Sequence, residues 1–323
     1  MELVSTKRLE LYSGRSHPEL AAEVANHLGV PLGDASLREF ADGEIHCRFS
    51  GSVRGKDVFI LQTHAGPVND SVMEQLIMVD AAKRASAKRI TAVCPYYGYS
   101  RQDRKATGRE PITAKLVADM MAAAGADRIV SIDLHSGQIQ GFFDGPVDHL
   151  TAMPVLVDYI RRHLTGDLVV VAPDAGRTRV AERFSLRLGA NVAFVYKRRP
   201  KGSINKVEAL DVVGDVAGRR CVLIDDMIDT AGTIVAAADL LVDRGAAEVW
   251  AMATHAVLSD PAADRLKASS ITRVVVTNTL PIEDSKKIEK LEVLSVGRIV
   301  ARAIDAVFED SSVSEIFNGE NQS

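Results

Sequence analysis

The chain has 323 residues, of which 46% are hydrophobic and 25% are charged, and its formal net charge at pH 7 is −4. This length is enough for about two domains with large cores, and the composition is typical of a globular protein rather than a disordered, collagen-like or coiled-coil chain. The slight negative charge and an aromatic content of 5% argue against a nucleic-acid polymer as partner.

The cysteines and the N-terminus indicate a cellular compartment. Cys47, Cys94 and Cys221 are far apart in sequence and form no CxxC pair, which predicts free, buried thiols in a reducing environment. Residues 1–8 contain no apolar signal core, and short apolar segments such as 168–172 are far below the ~20 residues that span a bilayer. We therefore expect a cytoplasmic protein with no membrane partner.

Short β-branched segments alternate with alanine-rich segments along the chain. The predicted strands are 57–61, 89–93, 128–132, 168–172, 192–195, 221–224, 248–252 and 273–276. Predicted helices such as 72–85 and 233–244 lie between them. Continuous apolar strands joined by helices are typical of a mainly parallel sheet that is covered on both faces. The expected fold class is therefore α/β.

The chain also contains an internal repeat. Residues 56–99 and 219–258 both predict a strand, a loop, a helix and a strand, offset by 163 positions. The strands that follow, 128–132 and 273–276, are offset by only 145 positions. The first copy must therefore contain additional residues, and the polar segment 100–110 is the natural place for them.

The repeat predicts two similar domains. We assign residues 1–150 to the first domain, with a flexible loop at about 100–110, and residues 151–304 to the second. The boundary falls within 148–154, where a strand-like segment ends and a helix begins. The polar tail, about 305–323, is expected to pack back on the first domain.

Three segments of the first half carry side chains suited to ligand binding. The sequence FADGE at 40–44 contains a turn signal. The sequence RQDRK at 101–105 follows a strand, and is either a solvated charged face or a loop that closes over a polyanion. His135 follows strand 128–132 and is either structural or at the edge where parallel sheets bind ligands.

The second half contains the strongest local signal. The sequence IDDMIDTAGT at 224–233 follows an apolar strand, and its small residues open a helix. Such a turn lets backbone N–H groups approach a phosphate at a helix N-terminus. Asp225 and Asp226 precede it, where sugar hydroxyls or a hydrated Mg²⁺ would lie. Helix-capping acids would explain one aspartate and one threonine, but not the whole string.

This string resembles the phosphoribosyl-pyrophosphate binding motif of the type I phosphoribosyltransferase fold. Five further strings occur in the order and spacing that the ribose-phosphate pyrophosphokinase family shows, namely FADGE, YSRQDRK, REPITAKLVADM, DLHSGQIQGFFDGPVDHL and YKRRPKG. The resemblance runs from about Leu11 to Phe317. It implies two phosphoribosyltransferase-like domains, each a mainly parallel sheet flanked by helices. It also implies transfer of the diphosphoryl group of Mg-ATP to O1 of D-ribose 5-phosphate, giving 5-phospho-α-D-ribose 1-diphosphate and AMP for nucleotide biosynthesis.

The resemblance further implies roles for individual residues, with Mg²⁺ as the cofactor. The ATP-binding residues would be Phe40, Asp42, Gly43, Glu44, Arg101 and Gln102. The ribose 5-phosphate-binding residues would be Arg199, Asp225, Asp226, Asp229, Thr230, Ala231, Gly232 and Thr233. Mg²⁺ would contact His135 and Asp174, and the catalytic cations that stabilise the transition state would be Lys197 and Arg199.

The loop after Asp174 departs from the family pattern. Many members carry two glycines there, whereas this chain has Gly176 followed by Arg177. The side chain removes some backbone freedom, so the conformation of residues 174–179 is left open.

The family also implies partners and regulation. Its members are homo-oligomers in which dimers assemble into hexamers, and the 40–44 segment serves a neighbouring subunit. Inorganic phosphate and ADP are the expected effectors, and their site would include Ser52, Arg54, Ser86, Arg109, Ser312 and Ser314.

Two alternatives remain at this point. A phosphoribosyltransferase that consumes the product would need a base-binding hood and no ATP loop, and the cations at 101–104 and Lys197 argue against it. A non-catalytic regulatory paralogue should have lost Lys197, Arg199 or the acidic cluster, and all of them are present.

Overall fold

The computed structural model describes residues 7–198 and 209–317, without the side chains of Lys197, Arg198 and Ala209. The strands in this part of the chain are β1 (Leu9–Ser13), β2 (Ala35–Glu39), β3 (Ile45–Phe49), β4 (Asp57–Leu61), β5 (Arg89–Cys94), β6 (Arg128–Ile132), β7 (Val147–Leu150), β8 (Leu168–Ala172), β9 (Asn191–Arg198), β10 (Ala209–Val213), β11 (Arg220–Ile228), β12 (Glu248–Ala256), β13 (Arg273–Thr277) and β14 (Leu291–Leu294). The helices are α1 (Pro18–Leu28), α2 (Val68–Arg84), α3 (Thr113–Ala124), α4 (Met153–His163), α5 (Thr178–Leu188), α6 (Gly232–Asp243), α7 (Ala262–Ala268) and α8 (Gly297–Phe308). None of these helices combines the length and apolar character needed to cross a membrane.

The chain folds into two compact units. Among the described residues, the first consists of residues 7–151, 279–281 and 296–317. The second consists of Ala152–Asn278 and Ile282–Ser295. The mixture of parallel sheets and flanking helices confirms the α/β fold class.

A parallel sheet forms the centre of the first unit. Its strand order among the described residues is β1–β4–β5–β6–β7. Val58 of β4 lies opposite Ile90 of β5, and every residue of β4 is buried, as expected for a strand covered on both faces. Helices α2 and α3 contribute Val79 and Met121 to this core. Strands β2 and β3 form a separate antiparallel pair joined by the 40–44 turn.

The second unit contains a larger sheet. Its order in the described chain is β10–β9–β8–β11–β12–β13–β14, and all neighbours are parallel except β10 and β9. Cys221 of β11 lies between Val169 of β8 and Val249 of β12, and all three belong to the buried core. Because β8 and β11 to β14 run in one direction, their carboxyl ends meet at one edge, which is the ligand-binding edge of such sheets.

The two units share one order of elements, which agrees with the predicted repeat. The series from β1 to β7 matches the series from β8 to β14, with α1, α2 and α3 corresponding to α5, α6 and α7. The additional chain of the first unit lies between β5 and α3, at residues 95–112, where the second unit has only residues 257–261 between β12 and α7. This segment contains the predicted 100–110 loop.

The C-terminal boundary differs from the predicted division into 1–150 and 151–304. Helix α8 belongs to the first unit, so the chain returns at Val296 rather than at about 305. A Cβ at Gly297 would lie 2.7 Å from the Glu23 carboxyl carbon of α1, so the glycine leaves room for the Glu23 side chain against the start of α8. Beyond α8, Lys7 Nζ donates to Phe308 O at 2.9 Å and Arg89 Nη1 forms an ion pair with Asp310.

Two smaller expectations also need correction. Strand β11 continues through Asp225 and Asp226 to Ile228, whereas the prediction ended the strand at 224. Cys94 and Cys221 are buried as expected, but Cys47 is only partly buried, and all three thiols are free.

Candidate active site

Two of the predicted ligand-binding segments share the carboxyl edge of the second unit's sheet. Strands β8 and β11 are parallel neighbours, and Asp174 follows the end of β8 by two residues. Asp174 is exposed, and its Oδ1 accepts a hydrogen bond from Gly176 N at 2.8 Å. The carboxylate therefore caps the 3₁₀ helix Ala175–Arg177 while remaining accessible to solvent.

The 229–233 turn leads from β11 directly into α6. Ala231 is the N-cap residue, with φ 61° and ψ 3°, a left-handed conformation that is costly for a residue with a Cβ. Thr230, Gly232 and Thr233 are exposed. The first N–H groups of a helix have no partner within the helix, and the helix dipole favours negative charge there. The turn is therefore suited to binding a phosphate group.

Arg177 contacts the acidic pair at the start of this turn. Its Nε lies 2.9 Å from Asp225 Oδ1, and its Nη2 lies 2.6 Å from Asp226 Oδ1. Asp226 N also donates to Asp225 Oδ1 at 2.8 Å. Burial and the neighbouring Asp226 carboxylate raise the pKa of Asp225 well above its ordinary value, and the charge of Arg177 offsets only part of that rise. The guanidinium is thus a counterion that partly compensates the negative charge of the pair.

Arg265 is a second cation at this turn that the sequence analysis did not identify. Its Nη1 donates to Thr230 O at 3.0 Å. The same nitrogen would lie 3.5 Å from a Cβ built on Gly232. A lone arginine on α7, 35 positions along the chain from the motif, carries no local signal, so only the packing of α7 beside α6 reveals it.

The 40–44 segment of the first unit is a tight turn. Phe40 N donates to Glu44 O at 2.8 Å, Gly43 N donates to Phe40 O at 2.9 Å, and Glu44 N donates to Asp42 Oδ1 at 3.2 Å. Gly43 has φ 90°, a conformation that favours glycine. The Phe40 side chain is 48% exposed. Asp42 therefore orders the turn, and the accessible ring of Phe40 is available to stack on a planar ligand.

Arg101 and Gln102 lie at the start of the additional loop. Gln102 N donates to Tyr99 O at 2.9 Å, and Gln102 O accepts from Ala114 N at 3.1 Å. The Gln102 side chain also accepts from Thr113 Oγ1 at 2.6 Å, so it joins the loop to the start of α3. Arg101 is exposed.

The rest of the loop is anchored at two further points. Gln138 Nε2 donates to Asp103 Oδ2 at 2.5 Å, and Asp103 is buried. Glu110 accepts from Ala106 N at 2.7 Å and from Thr107 N at 2.9 Å. The loop is therefore attached to the 3₁₀ helix Gly137–Gly141, close in sequence to His135, and folds on itself near its end.

His64 supports the segment that leads into this loop, and the sequence analysis did not select it. Gly98 N donates to His64 Nδ1 at 2.8 Å, and His64 Nε2 lies 2.9 Å from Gln75 Oε1. Because Nδ1 accepts, Nε2 carries the proton and the ring is neutral. Burial lowers the pKa of His64 to about 4. A Cβ at Gly98 would lie 2.9 Å from His64 Cβ, so the contact also depends on glycine.

His135 follows β6 through a tight backbone turn. Asp133 has φ 38° and its N–H donates to Leu150 O at 2.9 Å, while Leu134 N donates to His149 Nε2 at 2.9 Å. These bonds hold the segment at the carboxyl end of β6 and β7. His135 itself is half-buried.

Of the two predicted catalytic cations, only the backbone of Lys197 belongs to the described part of the structure. Lys197 lies in β9, where its backbone pairs with Leu210 of β10, but its side chain lies outside the described part of the structure, as does the whole of Arg199.

Comparison with known proteins identifies the family. Residues 9–125 match the model of the N-terminal domain of ribose phosphate pyrophosphokinase, and residues 190–318 match that of the phosphoribosyl synthetase-associated domain. The chain is 56% identical over 313 residues to a ribose-phosphate pyrophosphokinase of Streptomyces coelicolor and 55% identical over 316 residues to one of Mycobacterium tuberculosis. Each alignment covers 97% of this chain and 97% of the relative.

The chain belongs to the ribose-phosphate pyrophosphokinase family. It is an enzyme, and its structural similarity extends over almost the whole chain. The crystal structure of phosphoribosylpyrophosphate synthetase from Mycobacterium smegmatis is 54% identical and superimposes with a TM-score of 0.90, covering 94% of this chain and 100% of that one. The predicted resemblance is therefore confirmed.

The carboxylate and the imidazole predicted to contact Mg²⁺ are chemically compatible with a hydrated ion. Within residues 7–198 and 209–317 no three metal-ligating side chains cluster together, so the side chains described do not enclose an ion. Asp174 offers an exposed carboxylate in the second unit, and His135 offers a half-buried imidazole in the first. Mg²⁺ prefers oxygen ligands and usually keeps several waters, so phosphate and water oxygens would complete its shell.

The residues predicted for the effector site fall into groups in the first unit. The Ser312 and Ser314 hydroxyls are 2.8 Å apart and line a cavity of about 450 Å³ that also contains Arg128, Gln140 and Asp310. The same lining includes Asp148, which forms an ion pair with Arg128, so the hydroxyl and guanidinium donors here lie beside carboxylates.

The other predicted effector residues lie on loops. Gly55 N donates to Ser86 O at 2.9 Å, which brings Ser86 to the loop that carries Ser52 and Arg54. Arg109 is exposed in the additional loop and has φ 70°.

Proposed function

We propose that this enzyme transfers the diphosphoryl group of Mg-ATP to O1 of D-ribose 5-phosphate, giving 5-phospho-α-D-ribose 1-diphosphate and AMP. The observation that carries the proposal is the acidic pair Asp225–Asp226 leading into the exposed turn at the N-terminus of α6. It combines acceptors for a sugar diol with a phosphate-binding helix end, and it occurs in a chain whose full-length relatives are named for this reaction.

The second unit would bind the sugar phosphate. In this proposal the 5-phosphate lies on the 229–233 turn and accepts hydrogen bonds from backbone N–H groups and from the Thr230 and Thr233 hydroxyls. The ribose hydroxyls donate to Asp225, with Asp226 beside it. Arg199 is proposed to contact the same substrate.

The first unit would bind the nucleotide. The exposed ring of Phe40 would stack on adenine, and Glu44 would accept from its amino group. Arg101 would neutralise phosphate charge, and Gln102 would hold the loop against α3, where it already accepts from Thr113. His135 and Asp174 would hold the Mg²⁺, which supplies charge neutralisation on the phosphate oxygens.

The reaction is a single in-line displacement. O1 of ribose 5-phosphate attacks the β-phosphorus and forms a new P–O bond. The bond between the β-phosphorus and the oxygen that bridges to the α-phosphorus breaks, and its electron pair remains on the α-phosphate of AMP. The proton of the O1 hydroxyl is released to solvent. Lys197 and Arg199 would offset the charge that develops on the migrating group, which is the main task of a protein in phosphoryl transfer.

The remaining expectations are also proposals for this chain. We expect a homo-oligomer in which dimers form hexamers, so that the 40–44 turn completes the site of a neighbouring subunit. We expect phosphate and ADP as effectors, and a role in nucleotide biosynthesis in the cytoplasm.

One labelling experiment tests the reaction. The full-length protein is incubated with Mg²⁺, ribose 5-phosphate and ATP labelled at the β-phosphorus, and products are separated by anion exchange. The proposal requires AMP and a sugar diphosphate that carries the label, with no AMP when ribose 5-phosphate is omitted. Formation of ADP with an unlabelled sugar product would instead indicate a single phosphoryl transfer and would contradict it.

A matched pair of variants links the reaction to the site. Asp225→Asn removes a proposed acceptor for the ribose diol and should abolish most AMP formation. Asp80→Asn changes a partly exposed aspartate on α2 that pairs with Arg84 and should leave AMP formation unchanged. Consumption of 5-phosphoribosyl 1-diphosphate with a free base, and no AMP from ATP, would favour a phosphoribosyltransferase.

A further inference from the structure

Arg177 occupies the acidic pair to which the proposed function assigns the ribose hydroxyls. Its guanidinium bridges the two carboxylates through separate nitrogens, at 2.9 Å to Asp225 and 2.6 Å to Asp226. The side chains of Arg177, Asp225 and Asp226 are 12%, 17% and 7% exposed, respectively. This is a shielded charge cluster rather than a surface ion pair.

Two adjacent buried carboxylates are unfavourable without a cation. Like charges at this separation repel, so one acid takes up a proton or the pair recruits a positive ion. A pair of oxygen donors at the open edge of a sheet is also attractive to hard divalent cations. A guanidinium that donates to both acids neutralises part of their negative charge with a group of the protein itself.

The position of Arg177 explains how the chain supplies this cation. Arg177 is the last residue of the 3₁₀ helix that Asp174 caps, directly after β8, which is the neighbour of β11 in the sheet. Its φ of −102° and ψ of 4° are ordinary for any residue. The backbone therefore does not require an arginine there.

We propose that Arg177 is the built-in counterion of the ribose subsite: its guanidinium supplies the positive charge beside Asp225 and Asp226 and excludes divalent cations from them. This inference rests on the proposed function for the identity of the sugar ligand, whereas the counterion role concerns the acids alone. Arg177 is a positioning residue, because it acts on the substrate through the two carboxylates. The sugar diol then meets acceptors that are already charge-compensated and needs no metal ion between them.

The test measures metal binding without any substrate. Free Mn²⁺ is titrated into the full-length protein and followed by electron paramagnetic resonance, for the unmodified enzyme and for Arg177→Gly. The variant should gain one Mn²⁺ site that is tighter by about tenfold or more than any binding of the unmodified enzyme, since it loses a full positive charge beside two carboxylates. Asp225→Asn in the Arg177→Gly background should remove that site.

Two further measurements separate the counterion role from a structural one. Arg177→Lys keeps the charge and should bind Mn²⁺ more weakly than Arg177→Gly. Ribose 5-phosphate should compete with Mn²⁺ in Arg177→Gly but not in the unmodified enzyme. Thermal unfolding and Mg-ATP binding of each variant confirm that it is folded.

The outcomes decide between the possibilities. If folded Arg177→Gly binds Mn²⁺ with the same number of sites and the same affinity as the unmodified enzyme, or if Arg177→Lys behaves as Arg177→Gly, Arg177 is not the counterion. If Arg177→Gly gains the new Mn²⁺ site but the unmodified enzyme forms no AMP from ATP and ribose 5-phosphate, the counterion role stands and the proposed reaction fails.

Discussion

At the scale of single residues, Lys197 is the clearest test of the proposed chemistry. A cation aimed at the migrating diphosphoryl group acts mainly in the transition state. Lys197→Ala should therefore lower kcat by about 10³-fold, which corresponds to ~4 kcal/mol, while ribose 5-phosphate binding is largely retained. Steady-state kinetics and a calorimetric titration of ribose 5-phosphate measure the two effects. Near-normal turnover of the folded variant would remove Lys197 from the catalytic set.

Substitution of Arg265 tests the 229–233 turn, which is proposed to bind the 5-phosphate. Its hydrogen bond to Thr230 O fixes the turn that would hold the 5-phosphate, and hydrogen bonds from charged donors are worth about 1.5–3 kcal/mol. Arg265→Ala should raise KM for ribose 5-phosphate about tenfold or more, with kcat and KM for ATP changing little. Lys267→Ala, an exposed change on the same helix, is the control. An equal rise in both KM values would indicate a general structural defect.

At the scale of elements, the start of α6 joins a strained residue to a glycine. Gly232→Val places a branched side chain where backbone should approach the phosphate and where Arg265 Nη1 is close. We expect it to weaken ribose 5-phosphate binding far more than ATP binding in separate titrations.

The neighbouring position supplies the control for that prediction. Ala231 has φ 61°, so Ala231→Gly should preserve ribose 5-phosphate binding, because glycine adopts this conformation without strain. Equal loss of both ligands in Gly232→Val would point to misfolding of the turn.

The free energy of unfolding should depend on pH through His64, which supports the segment before the additional loop. The pKa of His64 falls from 6.5 to about 4 on folding because the ring is buried. The unfolded chain therefore binds this proton at a higher pH than the folded one. The contribution of the neutral His64 ring to the free energy of unfolding is fully present above about pH 6.5. It declines as the pH falls toward 4, by up to about 3 kcal/mol.

Urea unfolding between pH 7 and pH 4.5 measures this dependence. His64→Gln has no titrating ring and should show a shallower loss of unfolding free energy with falling pH than the unmodified protein. Asn26→Gln, at an exposed position near the end of α1, changes no titrating group and should keep the original slope. Identical slopes for all three proteins would show that His64 does not titrate in this range.

At the scale of the whole molecule, regulation by anions is the main expectation. The Ser312–Ser314 cavity and the Arg54 loop carry hydroxyl and guanidinium groups, which suit a dianion such as inorganic phosphate. Arg54→Ala should shift the phosphate concentration that gives half-maximal activity about tenfold upward at saturating substrates, without changing the maximal rate. Full activity without phosphate, together with indifference to ADP, would contradict an effector site while leaving the catalytic proposal intact.

Much of the fold follows from local patterns in the sequence. The eight predicted strands are all present, because strands buried on both faces require continuous apolar segments, and those segments are visible without any tertiary information. Strands such as β2, β3 and β14 were missed, since they are short and only partly buried. The additional loop was placed correctly because a repeat reveals an insertion by its change of offset.

The sequence by itself determined the family, the α/β class, the repeat and the acidic string that opens α6, because each is encoded in contiguous residues whose order is the signal. Only the tertiary structure decided the partners of that string. Arg177 contacts it from the 3₁₀ helix after β8 and Arg265 from α7, and His64 contacts Gly98, 34 positions away. The return of α8 to the first unit likewise depends on its packing against α1. Such contacts depend on packing between segments that are distant in sequence, so the spacing of residues along the chain does not predict them.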